Sequence, residues 1–403
     1  MAPAMDPLRL PTVPDPAPAT HAWRDRVLIA LFVAMLPAMA ALDPLRGQAL
    51  ASEQRRAEDW PSMATMTSPA TFASRCERAF ADRFGMRSAL ILAQHLVLVD
   101  AFGVSPTPNA MIGRDGWLFW LGEEARSLDS HYRGTRPLGE SEAAAYVAEV
   151  KRRHEYFRSR GIAYLVVVVP EKFTIYPEYL PAWVAPGEAP TPLAQVRDRL
   201  ASDGSVPFVD LRPLLLAAKD RGRLYYQTDS HWNLAGAGIA YAAIMARVQV
   251  LLPGRLPTIV PPVRPPYMPG LAPYRGDISR AIGIPSRFVE PDYLPMARVV
   301  GDPASVGLFA RRTDRNTDHY AKVFELNRPG LPLLVMHRDS MALALEPLLS
   351  ENFRRSVYLV TPGVDITVID REHPDIVIDE TVERGLVNVA RRPLKVPSVV
   401  RSP

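Results

Sequence analysis

The chain has 403 residues, 48% of them hydrophobic, a formal net charge of +4 and a single cysteine, Cys76. This length is sufficient for a full hydrophobic core and a smaller appended region. One cysteine excludes an internal disulfide and a zinc site built from cysteines. The arginines are scattered rather than clustered with aromatic residues, so the sequence predicts no nucleic-acid partner.

The first part of the chain predicts an export signal or a membrane anchor. Residues 1–21 are rich in proline and alanine and are predicted to be disordered. The uncharged run at residues 27–42 follows Arg24 and Arg26, which is typical of a secretory signal. Its length approaches the lower limit of about 17 residues for a spanning helix. We therefore expect residues 22–46 to be a signal peptide or an anchor and the remainder to lie outside the cytoplasm; a buried globular helix is the alternative.

A helical lead-in and a hairpin are predicted next. Residues 47–109 predict a linker and then a helical stretch that opens at Ser68 and breaks near Gly85. The sequence AMIGRDGWLFW at residues 110–120 predicts a hairpin with its turn at residues 114–116.

Residues 110–403 predict one α/β domain with a parallel sheet. Helices are predicted at residues 141–160, 192–201, 213–219 and 234–246, and strands at residues 164–169, 206–209, 333–336, 357–360 and 376–378. The run YLVVVV in the first of these strands lacks polar alternation, which indicates burial on both faces. Strands separated by helices indicate a parallel sheet with helices on both faces. Ligands bind at the carboxyl ends of the strands in such a sheet.

The stretch LYYQTDSHWNLAGAGIAYAAIM at residues 224–245 carries the first candidates for chemistry. If residues 227–231 are extended, Asp229 and His231 point to the same side of the backbone. The carboxylate can then hold one ring nitrogen of a neutral imidazole while the other faces a substrate. Asn233 is predicted to cap the following helix, whose positive end favours the uncharged, basic ring. From spacing alone, a capped turn with a hydrogen-bonded core histidine is equally open.

The stretch LPLLVMHRDSM at residues 331–341 supplies a candidate nucleophile. Its apolar run at residues 333–336 predicts a buried strand, followed by a polar turn that carries Ser340 and by a helix from Ala342. A serine on such a turn is exposed at the carboxyl edge of the sheet, where free N–H groups of the helix can face a developing oxyanion. A plain helix cap is the alternative role of Ser340.

Seven motifs resemble one family when they are taken together. They are FADRFGMRSALI at residues 80–91, GRDGWLFW at 113–120, VVPEKFTIYPEYLP at 168–181, TDSHWNLAGA at 228–237, GDISRAIGIP at 276–285, RDSM at 338–341 and PDIVIDETVER at 374–384. None is specific alone, but their order over residues 72–386 resembles that of the SGNH-hydrolase-like alginate O-acetyltransferases of the AlgJ/AlgX type, also called the DHHW-motif family.

The resemblance implies an SGNH-hydrolase-like fold and a periplasmic enzyme, held in the inner membrane if its leader is uncleaved. It implies transfer of acetyl groups to hydroxyls of an exported, alginate-like polysaccharide, with a membrane-bound O-acyltransferase as the acetyl donor. The triad would consist of Ser340 as nucleophile, His231 as base and Asp229 as orienting acid, with an acetyl-serine intermediate. Hydrolysis of acetyl esters by the same triad, and polysaccharide binding without catalysis, are the alternatives.

One position departs from the family pattern. The family has glycine before the Asp-Ser pair, whereas this chain has Arg338, which would strain the turn, block the site or pair with an anionic sugar. Tyr226 and Trp232 are candidates for stacking on sugar rings, with packing in the core as the alternative, and Arg338 is a candidate for substrate contact by its charge. A metal site would recruit four side chains of types that suit zinc or manganese: Asp229, His231, His337 and Asp339. Because Arg338 would place positive charge beside them, we expect neither a metal nor a cofactor.

Overall fold

The computed structural model describes residues 22–41, 58–63, 68–83, 87–122, 132, 133, 135, 137–256, 267–295, 321–360 and 364–386. The chain divides into two compact units, Met1–Gln94 and His95–Pro403. The predictions for residues 1–21, and most of those for the linker that begins at residue 47, lie outside the described residues.

The first unit contains the leader and a helix that follows it. Helix α1 (Ala22–Ala41) covers most of the predicted apolar run, and its described side chains at residues 23–34 are exposed. Helix α2 (Pro69–Arg83) begins directly after Ser68, whose hydroxyl accepts a hydrogen bond from the Thr71 N–H at 3.2 Å. The predicted start of this helix is therefore confirmed, because the cap satisfies one of its free N–H groups.

The predicted hairpin forms in the second unit, after helix α3 (Arg87–Leu96) and a π-helical turn. Strands β1 (Ala110–Ile112) and β2 (Leu118–Trp120) pair antiparallel. The turn lies at the predicted position, where Asp115 has φ of 53° and Gly116 has φ of 76°. Aspartate and glycine suit these positions because both tolerate the left-handed region.

The central sheet has six strands in the order β4-β3-β10-β8-β9-β7. They are β3 (Ala163–Val169), β4 (Phe208–Asp210), β7 (Ala321–Glu325), β8 (Leu333–His337), β9 (Arg355–Leu359) and β10 (Ile376–Val382). The five predicted strands are confirmed and pair parallel to one another. The sixth, β7, was not predicted and runs antiparallel to β9 at the edge, so the sheet is mixed rather than fully parallel. A separate antiparallel pair follows the last long helix of the core: β5 (Tyr267–Tyr274) and β6 (Glu290–Pro295).

Helices cover both faces of the sheet, as predicted. They are α4 (Glu140–Ser159), α5 (Lys172–Ile175), α6 (Pro192–Asp203), α7 (Arg212–Ala218), α8 (Leu234–Leu251), α9 (Asp277–Ala281), α10 (Glu346–Ser350) and α11 (Ile366–Glu372). The helix predicted from Ala342 differs in form, because a 3₁₀ segment spans Ser340–Ala344 and α-helix begins only at Glu346. Pro347 at the first turn of α10 suits a helix start there.

Strand β3 shows how both faces are buried. Leu165, Val167 and Val169 pack into the cluster that contains the apolar residues of α8. Val166 and Val168 point the other way, into the cluster formed by α4, α6 and α11. Each of these fully buried side chains contributes about 1.5–3 kcal/mol. Of the described helices, α8 alone is long and apolar enough to cross a membrane, but 50% of it is buried inside the protein, so its composition is that of a core helix.

Three parallel strands bring their carboxyl ends to one edge of the sheet. Val382 at the end of β10 pairs with Val169 at the end of β3, and Asp379 of β10 pairs with His337 at the end of β8. The segments that leave these strands therefore begin side by side. Lys172 follows β3, Ser340 follows β8 and Arg384 follows β10.

Candidate active site

The predicted Asp–His segment forms a closed loop rather than a strand. Residues 225–232, here called the site loop, are closed by an isolated antiparallel bridge between Tyr225 and Trp232. Within the loop, the Tyr226 N–H donates to the His231 carbonyl oxygen at 3.2 Å, and the backbone bends at residues 227–231. The prediction that residues 227–231 are extended is therefore wrong. Their backbone groups are bound mostly by buried side chains, and the Leu118 N–H of β2 donates to the Gln227 carbonyl oxygen at 2.9 Å.

Asp229 and His231 nevertheless pair, because the turn brings them together. The ring Nδ1 of His231 donates to Asp229 Oδ1 at 2.6 Å, and the backbone N–H of His231 donates to the same oxygen at 3.0 Å. A proton on Nδ1 leaves Nε2 as the basic nitrogen. Among the described residues, no group forms a hydrogen bond with Nε2. The ring is thus held in the tautomer that a general base requires.

The second oxygen of Asp229 is held as firmly as the first. Tyr274 donates its hydroxyl to Oδ2 at 2.7 Å, and the backbone N–H of Asp277 donates to it at 2.8 Å. Burial acts to raise the pKa of Asp229, but the hydrogen bonds and charge of His231, together with those from Tyr274 and Asp277, outweigh burial and hold the pKa below its usual range. Asp229 is therefore an anion that orients the ring.

Asp277 is a second carboxylate beside the imidazole. It accepts hydrogen bonds from the Ser230 backbone N–H at 2.7 Å and from the Ser230 hydroxyl at 2.5 Å, and its Oδ2 lies 3.5 Å from His231 Nδ1. Burial and the negative charge of Asp229 raise the pKa of Asp277. Its proximity adds negative potential at the ring.

The direction in which the pKa of His231 is shifted differs from the prediction. We expected the helix end to favour the uncharged ring, and Asn233 does cap α8, accepting from the N–H groups of Ala235 at 2.9 Å and Gly236 at 3.2 Å. Burial acts to lower the pKa of His231, but the hydrogen bond and charge of Asp229 and the charge of Asp277 outweigh burial and raise that pKa. The carboxylates decide, because they lie within direct contact of the ring.

The site loop is tied to the serine turn by one buried hydrogen bond. Trp232 Nε1 donates to the carbonyl oxygen of Met341 at 2.9 Å. Trp232 directly follows His231 in the chain, and Met341 directly follows Ser340. The two predicted catalytic segments, more than a hundred positions apart, therefore meet at the carboxyl edge of the sheet.

The serine turn is built by Asp339. This residue caps the 3₁₀ segment, accepting the Met341 N–H at 2.8 Å on one oxygen and the Val382 N–H at 2.7 Å on the other. Its own N–H donates to Glu380 Oε2 at 3.0 Å. Asp339 thus has a structural role, and the half-buried Ser340 begins the 3₁₀ segment. The Met341 N–H is already bonded, so this group is not free for an oxyanion, contrary to our expectation.

The segments of Ser340 and His231 are linked by this network, but within the part of the chain that the structure describes the two side chains share no hydrogen bond, since Nε2 has no partner there. Catalytic hydrogen bonds commonly shorten only when substrate is bound. The geometry therefore supplies an oriented base and, through the Trp232–Met341 bond, a serine turn joined to the segment that carries it.

Arg338 is accommodated inside the protein. It is 8% exposed, its Nη2 lies 2.5 Å from Oε1 of the fully buried Glu346, and its Nη1 donates to the Asp339 carbonyl at 3.1 Å. Among described non-glycine residues, only Asp115 and His373 have positive φ, so arginine causes no such strain at position 338. Its guanidinium is engaged with Glu346, contrary to the predicted contact with a sugar.

The two aromatic candidates differ in accessibility. Trp232 is 1% exposed, so the structure gives it a packing role in place of the predicted sugar stacking. Tyr226 is half-buried and stacks on Tyr274 with ring centroids 4.2 Å apart. Because Tyr274 also bonds Asp229, Tyr226 lies beside the acid–base pair and remains the candidate for substrate contact.

The four predicted metal-ligand candidates are held by different partners. The His337 ring accepts the Asp365 N–H at 3.0 Å, and both oxygens of Asp339 bind backbone N–H groups. Within the described chain, the group of side chains close enough to share an ion is Asp229, His231 and Asp277. Asp229 and His231 are already paired at 2.6 Å, so these donors are used within the protein.

Several residues around the site were not predicted from the sequence to have a role there. Lys172 and Glu290 bind the backbone of the site loop, and Tyr274 and Asp277 bind Asp229. Lys172 and Asp277 belong to two of the seven motifs quoted above, which was the available signal. Tyr274 and Glu290 lie just outside a motif, and nothing in their local spacing marks them.

A mixed α/β sheet covered by helices, with an oriented Asp–His pair beside a serine at its carboxyl edge, defines an SGNH-hydrolase-like domain. The chain belongs to the family whose model is described as the SGNH hydrolase-like domain of the acetyltransferase AlgX, which matches residues 110–312. The matched range includes Asp229 and His231 and ends before Ser340.

Curated relatives match over part of their length. The "Probable alginate O-acetylase AlgJ" of Pseudomonas putida is 27% identical over 183 residues, which cover 45% of this chain and 44% of that protein. The protein of the same name from Pseudomonas aeruginosa is 30% identical over 139 residues, which cover 32% of this chain and 30% of that protein. The chain thus spans less than half the length of these relatives.

Two solved structures are similar in fold. The O-acetyltransferase domain of Pseudomonas putida AlgJ aligns with a TM-score of 0.46 and 20% identity, covering 72% of this chain and 95% of that chain. A DHHW family protein from Eubacterium siraeum aligns with a TM-score of 0.44 and 18% identity, covering 72% of this chain and 100% of that chain.

Proposed function

We propose that the protein is an O-acetyltransferase that moves acetyl groups onto hydroxyls of an exported, alginate-like polysaccharide through an acetyl-serine intermediate. The observation that carries the proposal is the 2.6 Å bond from His231 Nδ1 to Asp229, with Nε2 left as the free basic nitrogen. The bond between Trp232 and Met341 supports Ser340 as the nucleophile. The names of the relatives supply the class of polysaccharide.

The first half-reaction acetylates the enzyme. Ser340 Oγ attacks the acetyl carbonyl carbon of the donor, and His231 Nε2 takes the hydroxyl proton. The imidazolium that forms is stabilised by Asp229, whose carboxylate is already oriented by Tyr274. The bond to the donor's leaving oxygen then breaks, and that oxygen receives the proton from Nε2. The products are acetyl-Ser340 and the deacetylated donor.

The second half-reaction passes the acetyl group to the acceptor. A sugar hydroxyl attacks the acetyl-serine carbonyl, and Nε2 of His231 takes its proton. The ester bond to Ser340 breaks, and Ser340 recovers a proton from the imidazolium. The sugar then carries the acetyl ester and the enzyme is regenerated. Tyr226, half-buried beside the pair, is the proposed sugar contact.

The purified full-length chain tests this chemistry directly. We expect 4-nitrophenyl acetate to acetylate Ser340, seen as an added acetyl mass on the peptide that contains it, and an oligomannuronate acceptor to discharge it. Ser340→Ala should form no adduct, whereas Ser202→Ala, on the exposed side of α6, should behave as wild type. Normal polysaccharide acetylation by Ser340→Ala would eliminate the mechanism. Acetate release that is indifferent to the acceptor would indicate an esterase, and tight oligosaccharide binding without any ester turnover would indicate a non-catalytic binding protein.

We also propose a periplasmic location and a membrane-bound O-acyltransferase as acetyl donor. The support for the periplasmic location is α1, a helix of 20 residues with exposed apolar side chains that follows the proline-rich start of the chain. Arg24 and Arg26 precede its apolar run, as is typical of the cytoplasmic side of a leader. A carboxyl-terminal alkaline phosphatase fusion should be active with residues 1–46 and inactive without them; activity without them would contradict export by this segment.

A further inference from the structure

Lys172 is a buried cation at the carboxyl end of β3. It opens the one-turn helix α5 and is 2% exposed. A lysine is rarely buried to this extent without partners, because burial removes its hydration. Its side chain does not touch Ser340 or the ring of His231 in any described hydrogen bond, so the acyl-transfer mechanism above does not use it.

All three N–H donors of the ammonium group bind one segment of the chain. Nζ donates to three backbone carbonyl oxygens of the site loop: Tyr226 at 3.1 Å, Gln227 at 3.2 Å and Asp229 at 2.6 Å. The rings of Trp117 and Phe119 cover the cation at 5.7 Å and 5.4 Å from their centroids. Three donors and three acceptors match the capacity of a protonated lysine.

A buried carboxylate binds the N–H groups of the same loop. Glu290, at the start of β6, accepts the Gln227 N–H at 2.8 Å and the Thr228 N–H at 2.7 Å, and pairs with Arg223 at 2.9 Å. Lys172 thus binds three carbonyl oxygens of the loop and Glu290 two of its N–H groups, while the Leu118 N–H of β2 also donates to the Gln227 carbonyl oxygen at 2.9 Å. In a strand, neighbouring strands would satisfy these groups.

We propose that Lys172 is a positioning residue for acyl transfer: its three hydrogen bonds hold the site loop in the conformation in which Asp229 orients His231. The inference rests on the proposed function, since it concerns the same base. Asp229 is the link, because its carbonyl oxygen receives the shortest of the three bonds while its carboxylate holds the ring.

The proposal gives the site a second titrating group. The charged groups that face Lys172 are Glu290 of β6, Asp229 of the site loop, Asp277 of α9 and the adjacent Glu171. Burial lowers the pKa of Lys172 to about 8, although these four carboxylates act to raise it. A neutral amine has two donors and a lone pair, so deprotonation replaces one hydrogen bond with repulsion from a carbonyl. Activity should therefore fall on the alkaline side near that pH.

Stability should change in the opposite direction over the same range. The pKa of Lys172 is about 8 in the folded state and about 10.4 in an unfolded chain. Between these values the unfolded state binds more protons, so this group makes the free energy of unfolding rise with pH. Loss of activity without loss of stability would separate positioning from general unfolding.

The reaction of Ser340 with phenylmethylsulfonyl fluoride, followed by intact mass from about pH 6 to about pH 10, tests the proposal on the full-length chain. We expect Lys172→Met to slow the reaction about 100-fold, the size typical of a catalytic group displaced by about 1 Å, and to lack the alkaline limb. Lys172→Arg, which cannot lose its charge, should retain more activity and also lack that limb. Lys219→Met is the matched control: Lys219 also lies over an aromatic ring, that of Tyr176, but its described hydrogen bonds go to the Ile175 carbonyl at 3.0 Å and to Glu178 rather than to the site loop.

The outcomes separate this inference from the proposed function. No adduct on wild-type Ser340 would overturn both. An adduct that Lys172→Met forms at the wild-type rate, with the wild-type alkaline limb, would overturn the inference alone. If Lys172→Met fails to fold, the wild-type profile decides: an alkaline loss of reactivity that coincides with thermal destabilisation would also overturn it, and a loss without destabilisation supports it.

Discussion

Asp229→Asn perturbs the site at the residue with the most contacts to the base. In the wild type, Oδ1 accepts two hydrogen bonds from His231, at 2.6 Å and 3.0 Å, and Oδ2 accepts from Tyr274 at 2.7 Å and Asp277 at 2.8 Å. Asparagine keeps the shape but replaces one oxygen with an NH₂ group. That group faces a backbone N–H in either orientation, because each oxygen receives one.

The two orientations differ in their effect on the ring. If the NH₂ group faces His231, the ring must accept at Nδ1, which moves its proton to Nε2 and removes the base. If the NH₂ group faces Tyr274, the tyrosine hydroxyl can rotate to accept a hydrogen bond, but the backbone N–H of Asp277 cannot and is left unpaired. In both orientations the negative charge that stabilises the imidazolium is lost. Loss of the correct tautomer lowers kcat by about 10⁴-fold in triad enzymes, which corresponds to about 5.5 kcal/mol. The unpaired N–H adds a loss of stability of about 1–3 kcal/mol.

The assay is the pH dependence of 4-nitrophenyl acetate turnover, with chemical denaturation measured alongside. His231 must be neutral to act, so wild-type activity rises with pH through a pKa that Asp229 raises. Asp229→Asn should lower kcat and move the remaining acid limb to lower pH. Asp277→Asn, which keeps the tautomer, should move the limb with a smaller loss of kcat. A variant Asp229→Asn with kcat within about ten-fold of wild type and an unmoved acid limb would refute the assignment of Asp229 as the orienting acid.

The free energy of unfolding should also depend on pH through Asp229 and His231. The pKa of Asp229 is lowered in the folded protein, so its stabilisation is present above the unfolded value of about 3.9 and is lost as the pH falls through the folded value. The pKa of His231 is raised, so its contribution is fully present below about 6.5 and is lost as the pH rises through the folded value. Asp229→Asn should remove the first dependence and weaken the second, because Asp277 still raises the pKa of His231.

Three further substitutions test the surroundings. Arg338→Ala should lower the free energy of unfolding by about 3 kcal/mol, because Glu346 loses a buried partner. In a double-mutant cycle measured by denaturation, adding Glu346→Gln should recover part of this loss. Additive losses would contradict the pairing. Gly276→Ala should destabilise the protein by about 1–3 kcal/mol and reduce activity, because a Cβ there would meet the backbone of the site loop. An unchanged thermal unfolding temperature would contradict that close approach. Trp232→Phe should cost about 1–2 kcal/mol and lower kcat through the lost bond to Met341, so an unchanged kcat would argue that this bond does not position the serine turn.

The central sheet was predictable because its signal is local and strong. The run at β3 has no polar alternation, and burial on both faces is its physical meaning, which the two core clusters bear out. Strand β7 was missed because its sequence AKVFE is short and partly charged, as suits an edge. Its antiparallel direction depends on pairing with β9, which no local pattern expresses.

The acid–base pair was predictable from its spacing, but its geometry was not. An extended backbone and a tight turn both bring residues two positions apart together, and sequence spacing does not distinguish them. The direction of the pKa shift of His231 was predicted wrongly for a related reason. The helix cap at Asn233 is visible in the sequence, whereas Asp277 reaches the ring only through tertiary packing, from 46 positions beyond His231.

The position of Arg338 shows why a single departure from a family motif is a poor guide to function. Glycine is required where φ is positive or where a side chain has no room, and neither condition holds at position 338. The added guanidinium is paired with Glu346, which also contacts Lys322, so the charge is satisfied below the serine turn. The turn itself is fixed by Asp339, which accepts two backbone N–H groups, and the Arg338 side chain adds a hydrogen bond to the Asp339 carbonyl oxygen. The substitution therefore gives no reason to expect an inactive protein, and activity that depends on Ser340 in the wild-type chain is the result that this reasoning requires.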